Sequence, residues 1–208
     1  MPEAIEKVTA FITRETKDVP ELLLIKHPYA GDQLPAGTVE EGESPEAAVL
    51  REAFEETGLE PLSIREYLGC MEDQLPDGNR VILRTTKVFA RPDVTSFDWA
   101  YLRRGVQVKI IRTAQDFSQI TYEEPDQEPD PQYISMQITG WVPDQNLTSS
   151  SKRHFFLLDF RGHTEEQWTV FTDNHTFTLF WVPLADAPRI ISPYQREWIV
   201  FLSKSHTR

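Results

Sequence analysis

Short runs of apolar residues, some continuous and some alternating with polar ones, predict β-strands towards both ends of the chain. Near the N-terminus, strands are expected over residues 6–14 and 22–26, and the second is a continuous apolar run typical of a buried strand. Further strands are predicted over residues 63–70, 80–89, 153–160 and 176–184, with a turn at residues 76–79. The expected framework is therefore a sheet of several strands.

One helix is predicted over residues 45–57. Ser44 is a favourable N-cap, Pro45 suits the first helical position, and Gly58 tolerates the left-handed backbone that often ends a helix. At about 100° per residue, apolar side chains share one face of this helix and glutamates share the opposite face. The apolar set is Ala47, Leu50, Ala53, Phe54 and Thr57, and the acidic set is Glu52, Glu55 and Glu56.

A second helix is predicted to begin at Ser192 and Pro193, near the end of the chain. Its apolar residues recur at helical spacing and would share one face. These residues are Tyr194, Trp198, Phe201 and Leu202.

The acidic face of the first helix predicts a cation site. Like charges placed so closely repel one another, and a hard divalent cation held by oxygen ligands, Mg²⁺ or Mn²⁺, would relieve that repulsion. The competing interpretation is a solvated surface, since Glu and Arg are good helix formers. The preceding loop favours the cation, because Gly37 allows close approach of the backbone and Glu43 can pair with Arg51.

Residues 37–59 fit the spacing Gly-x5-Glu-x7-Arg-Glu-U-x-Glu-Glu-x-Gly-U, in which U is apolar. This stretch resembles the Nudix box. The resemblance implies a metal held by three catalytic carboxylates and one carbonyl, with a neighbouring ion pair that orients them. The ligands would be Glu52, Glu55, Glu56 and the carbonyl of Gly37, and the ion pair would be Glu43 with Arg51.

The same resemblance implies a fold and an activity. The fold would be of the α+β class, an α/β/α sandwich around a mixed β-sheet. The activity would be metal-dependent hydrolysis of a phosphoanhydride bond in a nucleoside diphosphate linked to another moiety. Two other classes of function stay open, a non-catalytic sensor with a Nudix fold and an interaction module. An RNA-end pyrophosphohydrolase would need a basic groove that the composition does not indicate.

Residues 93–151 exceed what a Nudix domain of this kind needs, so residues 1–92 and 152–208 are predicted to form the Nudix domain around an insertion. The short strands predicted in this segment, and its Gly140-Trp141-Val142 motif, resemble a bacterial SH3-like domain, a small β-barrel. The alternative is that these strands extend the Nudix sheet. The acidic, proline-containing run at residues 123–130 is predicted to be a solvated loop.

Outside the box, the sequence patterns that indicate site residues are less specific. Asp173 and His175 precede the strand predicted over residues 176–184, and either could act as the general base or bind metal. The alternatives are a turn-forming aspartate and a hydrogen-bonded histidine. His27, Arg80 and Arg153 are candidate substrate-binding residues, and scattered surface charge is the alternative for each.

The composition limits the kinds of partner that this protein is expected to bind. The formal net charge of the 208 residues is −12, which opposes binding to a nucleic acid polymer but is compatible with a small phosphorylated nucleotide. The one cysteine, Cys70, excludes an intramolecular disulfide. The N-terminal residues lack the apolar core of a signal peptide, and no apolar run reaches membrane-spanning length, so a cytoplasmic protein without membrane contact is expected. A homodimer is left open.

Overall fold

The computed structural model of the protein describes residues 3–28, 31–126, 131–172 and 175–205. Along the chain, these residues divide into two compact units. The first unit comprises Lys7–Met71 and Arg153–Arg208, and the second comprises Met1–Glu6 and Glu72–Lys152. Each unit has its own β-sheet, and the candidate box lies in the first.

The described part of the chain forms the following elements. In chain order, the strands are β1 (Ile5–Thr16), β2 (Val19–His27), β3 (Gly31–Gln33), β4 (Ala36–Thr38), β5 (Leu62–Gln74), β6 (Asn79–Ile82), β7 (Thr86–Phe89), β8 (Asp98–Leu102), β9 (Gln107–Ala114), β10 (Phe117–Pro125), β11 (Ile134–Pro143), β12 (Leu147–Thr148), β13 (Ser150–Phe160), β14 (Gln167–Thr172) and β15 (His175–Pro183). The α-helices are α1 (Pro45–Thr57), α2 (Ala187–Ile190) and α3 (Ile199–Ser205), and 3₁₀-helices span Asp144–Asn146 and Pro193–Trp198.

The sheet of the first unit has the strand order β14-β15-β2-β1-β13-β5, with β3 paired to β2 and β4 paired to β1. Alternate residues of β1 face opposite sides of this sheet. Val8, Ala10 and Ile12 pack in one apolar cluster with residues of α1, whereas Phe11 packs in a second cluster with the C-terminal helical segment. The predicted α+β class with a mixed sheet is confirmed, and helices cover both faces.

The predicted strands of the first unit are confirmed, and four of the five are longer than expected. The predicted strands at residues 6–14, 22–26, 63–70, 153–160 and 176–184 correspond to β1, β2, β5, β13 and β15. An apolar run can be shorter than the strand that contains it, because the hydrogen bonding of the strand continues into polar residues that face solvent.

The single strand predicted over residues 80–89 is wrong, because two strands, β6 and β7, replace it. These strands pair with different neighbours, β6 with β9 and β12, and β7 with β8 and β11. Between them, the amide of Leu83 donates to the carbonyl of Asn146 at 2.7 Å, which interrupts the ladder. The predicted turn is confirmed, with a 3.0 Å hydrogen bond from the amide of Asn79 to the carbonyl of Pro76.

The buried face of α1 differs from the predicted face. Ala47 is exposed and the Phe54 side chain is 47% exposed, whereas Ala48 and Val49 are buried in the cluster beneath the helix. Helical spacing gives the relative positions of side chains, but packing decides which arc turns towards the sheet. The helix is therefore rotated relative to the sequence prediction, which also brings part of its acidic face towards the protein.

The C-terminal helix also differs in part from the helix predicted there. A 3₁₀ segment over Pro193–Trp198 precedes α3, and the Tyr194 side chain is 82% exposed. Trp198, Phe201 and Leu202 pack against the second cluster as predicted. In a 3₁₀ segment, residues advance by about 120°, so Tyr194 leaves the face that an α-helix would have given it.

The second unit is a sheet with the strand order β12-β6-β9-β10-β11-β7-β8. Its small core contains Ile82, Val88, Leu102, Ile120 and Val142. These strands form their own sheet and do not extend the sheet of the first unit. No helix among the described residues has both the length and the apolar character needed to cross a bilayer.

Candidate active site

Helix α1 is fixed at both ends by the capping residues that its sequence predicts. The Ser44 hydroxyl accepts a 3.2 Å hydrogen bond from the amide of Ala47. At the other end, Gly58 has a φ of 68° and donates from its amide to the carbonyl of Phe54 at 2.7 Å. Because both ends are satisfied, the side chains of this helix are held at defined positions.

Strand β4 places the loop before α1 against the sheet. It pairs antiparallel with β1, where Thr38 lies opposite Lys7 and Gly37 lies opposite Val8. Just before β4, the carbonyl of Pro35 accepts a 2.9 Å hydrogen bond from the amide of Ala10. The backbone that precedes the helix is therefore anchored to a central strand.

Gly37 is the point of closest approach between β4 and α1. A Cβ atom at this position would overlap the carboxyl group of Glu52. A larger residue would displace the Glu52 carboxyl group from its place beside the Gly37 backbone, so this contact favours glycine. The prediction that Gly37 lets the backbone approach a metal stays a prediction.

Two glutamates of α1, one turn apart, bind the backbone of β4. Glu52 Oε1 accepts from the amide of Thr38 at 3.2 Å, and Glu56 Oε2 accepts from the amide of Ala36 at 2.9 Å. Both acidic groups thus lie in the cleft between helix and loop and do not form a solvated surface. Glu52 also lies beside Gly37, and Glu56 binds the residue before it.

Arg51 connects the remaining acidic groups. Its Nε and Nη2 atoms donate to the two carboxylate oxygens of Glu43 at 2.9 and 2.8 Å, and Nη2 also donates to the carbonyl of Thr38 at 3.1 Å. Its Nη1 atom lies 2.9 Å from Glu52 Oε1 and 3.1 Å from Glu55 Oε2. The guanidinium group therefore joins the loop to three carboxylates, with the two-point geometry that arginine favours.

The environments of two carboxyl groups shift their pKa values in opposite directions. Burial raises the pKa of Glu52, and the neighbouring Arg51 opposes this shift. Hydrogen bonding from Arg51 lowers the pKa of Glu43, and hydrogen bonding to Glu43 in turn raises the pKa of Arg51. Burial at Glu52 disfavours a bare negative charge, so a cation is the natural partner of this group.

The donor set around Gly37 fits a hard divalent cation. Carboxylate and carbonyl oxygens are the ligands that Mg²⁺ and Mn²⁺ prefer. Among the residues that the structure describes, no three acidic, histidine or cysteine side chains converge as a finished metal cage. Backbone amides and Arg51 instead hold the carboxylates in place, so an ion would take over some of these contacts.

The other predicted site residues lie in different places. His27 is at the end of β2, with its ring centroid 5.3 Å from that of Phe177. Arg153 donates from β13 to the carbonyl of Val8 at 3.1 Å. Arg80 belongs to the second unit and donates to the carbonyl of Asn79 at 2.7 Å.

The predicted general-base candidates are at the turn between β14 and β15. His175 is the first residue of β15 and lies opposite Thr172 of β14. Asp173 is outside the described residues.

Lys7 is a candidate that sequence reasoning missed. It lies on β1 directly opposite Thr38 of the box loop. Burial lowers the pKa of Lys7 to about 8, and the nearby positive charge of Arg153 contributes to the shift. The available signal was a lysine near the start of a predicted strand with apolar residues at Ile5 and Val8, since such a lysine can be partly desolvated.

A family model for the NUDIX domain matches residues 5–120, which is more than half of the chain. A curated relative, an RNA pyrophosphohydrolase from Roseobacter denitrificans, is 52% identical over 44 residues. This match covers 21% of the present chain and 27% of the relative. The chain therefore matches only about a quarter of the length of that relative.

Solved structures of three proteins resemble the chain at low identity. An Ap4A hydrolase complex from C. elegans is 15% identical with a TM-score of 0.48, covering 97% of this chain and 96% of that one. A dihydroneopterin triphosphate pyrophosphohydrolase from E. coli is 14% identical with a TM-score of 0.46, covering 92% and 90%. The NUDIX domain of Shewanella oneidensis NrtR with ADP ribose is 12% identical with a TM-score of 0.45, covering 100% and 91%.

Proposed function

Because this chain belongs to the Nudix family, we propose that it is a metal-dependent hydrolase. It cleaves a phosphoanhydride bond in a nucleoside diphosphate linked to another moiety. The observation that supports this function best is the packing of Glu52 against Gly37, where a glycine backbone and a partly buried carboxylate meet. That arrangement brings carbonyl and carboxylate oxygens into one cleft, as a cation site requires.

The proposed ligands are Glu52, Glu55, Glu56 and the Gly37 carbonyl, and the proposed ion is Mg²⁺ or Mn²⁺. When bound, such an ion neutralises the pyrophosphate and lowers the pKa of a coordinated water. Glu43 and Arg51 act as positioning residues, because their ion pair ties the loop to the helix that carries the ligands.

The attacking water must lose a proton, and three acceptors are proposed. A carboxylate of the box, Asp173 or His175 would take this proton as general base. Arg153 and His27 are proposed to contact the substrate, and Arg80 remains a proposed contact with phosphate. The small nucleotide is preferred over a polymer, because a net charge of −12 disfavours a long polyanion.

The name of the Roseobacter denitrificans relative, RNA pyrophosphohydrolase, agrees with a phosphoanhydride as the bond that is broken. Its match spans 44 residues, so it supports the type of bond that is broken and leaves the rest of the substrate to experiment.

The decisive experiment is a screen of nucleoside diphosphate derivatives with Mg²⁺ and with Mn²⁺, in which the phosphate products are measured. Glu56→Gln is expected to lower kcat by about 10²-fold or more, because it removes a charged ligand and leaves the side-chain volume unchanged. Glu55→Gln is expected to act in the same direction.

Glu46→Gln is the matched control, since Glu46 is exposed in the first turn of the same helix. It removes the same charge and should retain wild-type turnover. Full activity of Glu55→Gln and Glu56→Gln, with unchanged circular dichroism, would refute the metal assignment.

We also propose that the predicted insertion at residues 93–151 contributes an SH3-like β-barrel to the second unit. A role in packing is favoured over peptide binding or gating. Pull-down of a partner by the second unit would instead indicate an interaction module, provided that removal of this unit leaves hydrolysis unchanged.

A cytoplasmic location and a homodimer stay predictions. Size-exclusion chromatography with light scattering tests whether the protein is a homodimer.

A further inference from the structure

The hairpin formed by β10 and β11 extends beyond the strands that flank it. β9 pairs with β10 no further than Thr121, and β7 pairs with β11 at Trp141. In the described part of the chain, the two strands then pair only with each other over residues 122–125 and 134–138, which we call the hairpin end. A ribbon of two strands is only marginally stable in water, so a further surface packed against it would stabilise it.

One face of the hairpin end is apolar. Tyr122 and Ile138 lie opposite each other and pack against the core of the second unit. Alternate residues of a strand share a face, so Met136 and Ile134 lie on the same face of β11 as Ile138. Met136 is 43% exposed and Ile134 is 48% exposed. The apolar face of the core therefore continues along the hairpin into solvent.

Trp99 adds to this apolar face beside β11. A Cβ atom on Gly140 would point at the core residue Val88 and would lie 3.5 Å from the indole nitrogen of Trp99. Trp99 therefore lies on the core side of β11, and it is 46% exposed. Large apolar side chains grouped at a surface in this way are typical of a site that binds a partner.

The sequence of the hairpin is strongly acidic. Residues 121–138 contain five acidic residues and no lysine, arginine or histidine. The acidic residues are Glu123, Glu124, Asp126, Glu128 and Asp130. Glu124 lies opposite Met136, so its carboxylate borders the apolar face. Lys109, on β9, lies 3.6 Å from Glu123 and offsets one of these charges.

We propose that the hairpin end binds a segment of another protein that carries both apolar and positively charged side chains. Its apolar side chains would cover Ile134, Met136 and Trp99, and its cations would meet the acidic residues of the hairpin. A second copy of this chain fits less well, because it would bring a second set of five acidic residues to the contact. Nucleic acids and anionic membranes are disfavoured for the same reason.

The proposal goes beyond the proposed hydrolase function and does not rest on it. The hairpin end belongs to the second unit, whereas the box lies in the first. The packing role proposed for the SH3-like barrel is also separate, since the hairpin end extends beyond the strands that flank it. Met136→Ser should therefore leave hydrolysis at the wild-type rate.

The test measures the binding of three fluorescein-labelled peptides to the full chain by fluorescence anisotropy. Each peptide has about eight residues, a length typical of one strand. The first alternates leucine and lysine, the second has glutamate in place of lysine, and the third has serine in place of leucine. The leucine–lysine peptide is expected to bind at least about tenfold more tightly than the others, because it alone supplies both kinds of contact.

Met136→Ser is expected to weaken binding of the leucine–lysine peptide about three- to tenfold, because a partly exposed apolar contact is lost. Ile134→Ser provides a second variant on the same face, should Met136→Ser fail to fold. Ile111→Ser is the matched control and should keep wild-type affinity. Ile111 is 52% exposed on β9 of the same unit and lies outside the hairpin end.

The charge of the hairpin end has its own variant. Glu124→Gln is expected to weaken binding about two- to fivefold and to reduce the dependence of affinity on salt, because one charge beside the apolar face is removed. Glu60→Gln, which removes an exposed carboxylate of the first unit, is the control. Hydrogen exchange with the peptide bound should show protection over residues 134–138.

Three results would overturn the proposal. The first is wild-type affinity for the leucine–lysine peptide in both Met136→Ser and Ile134→Ser. The second is equal weakening in Ile111→Ser or Glu60→Gln, which would indicate a general attraction of cationic peptides to a chain with a net charge of −12. The third is a wild-type dimer in sedimentation velocity that Met136→Ser converts to a monomer, because a second copy would then cover the hairpin end.

Discussion

At the scale of single residues, Arg51 explains why the acidic groups of the box can lie so close together. Its guanidinium group contacts Glu43, Glu52 and Glu55 and also binds the carbonyl of Thr38. Without this positive charge, the carboxylates would repel one another across the cleft. Lysine at this position would keep the charge but lose the two-point contact with Glu43.

The ion pair between Glu43 and Arg51 predicts a pH-dependent contribution to stability. Hydrogen bonding from Arg51 lowers the pKa of Glu43 from its ordinary value in the folded state, so the folded protein binds this proton less tightly than the unfolded chain does. The stabilisation is therefore complete above the unfolded pKa and is lost as the pH falls through the folded pKa. Glu43→Gln should destabilise the protein at neutral pH, and the difference from wild type should shrink as the pH falls through this acidic range.

Urea unfolding from neutral pH down to about pH 3 measures this difference. Glu15→Gln is the control, because Glu15 is an exposed carboxyl on β1 of the same unit, and it should show no such trend. A difference between Glu43→Gln and wild type that does not change with pH would contradict the charge-based explanation.

Spacing along the chain predicted which residues of the box lie together in the structure, because their contacts are local. Gly37, Glu43, Arg51 and Glu52 lie within sixteen residues of one another, and one loop and one helix bring them together. Lys7 could not be recognised in this way, because Arg153 reaches it from a strand at the other end of the sequence. Only the order of strands in the sheet makes these two residues neighbours.

At the scale of elements, the contact between β4 and α1 decides which face of the helix is buried. Glu52 and Glu56 accept hydrogen bonds from β4, and this contact accompanies the burial of Ala48 and Val49 in place of Ala47 and Phe54. The sequence predicted the helix and its ends, because caps are local. Its rotation depends on β4, which the sequence did not predict as a strand.

Replacement of Gly37 by alanine tests this contact. The added methyl group would overlap the carboxyl group at the end of the flexible Glu52 side chain, so Gly37→Ala is expected to lower the free energy of unfolding by about 1 kcal/mol. Turnover should fall as well, because the carboxyl group of Glu52, a proposed metal ligand, is displaced. Urea denaturation and steady-state kinetics measure the two effects.

The double variant Gly37→Ala with Glu52→Ala is the control for this prediction. Removal of the carboxyl group makes room for the new methyl group, so the double variant should recover stability relative to the sum of the two single changes. Additive losses of stability would mean that the methyl group and Glu52 do not compete for the same space. Turnover should not recover, because Glu52 is a proposed metal ligand.

At the scale of the whole molecule, the two ends of the long segment between β5 and β13 lie side by side. Gln74 at the end of β5 donates to the Ser150 hydroxyl at the start of β13, at 2.7 Å. The amide of Leu75 donates to the carbonyl of Ser149 at 2.8 Å. A first unit interrupted by a long segment is therefore compatible with a continuous sheet, since the two ends of that segment are already side by side.

The partners of β6 and β7 bear on where the inserted segment begins. Their pairing partners are β8, β9, β11 and β12, all of which fall between residues 93 and 151. Removal of residues 93–151 alone would leave β6 and β7 without those partners and expose Ile82 and Val88, which are fully buried. An exposed unpaired strand with apolar side chains favours aggregation.

Two deletion variants therefore distinguish the possible boundaries of the insertion. Replacement of residues 76–148 by a two-residue Asn-Gly turn, which favours a β-hairpin, should yield a folded first unit, because Leu75 and Ser149 are already hydrogen-bonded. Deletion of residues 93–151 should give a less stable or aggregated protein. Thermal unfolding and light scattering measure both, and hydrolysis of the substrate found by screening tests whether the box still functions. A stable, monodisperse product from the shorter deletion would place the boundary at residue 93, because β6 and β7 would then belong to the part that folds without the insertion.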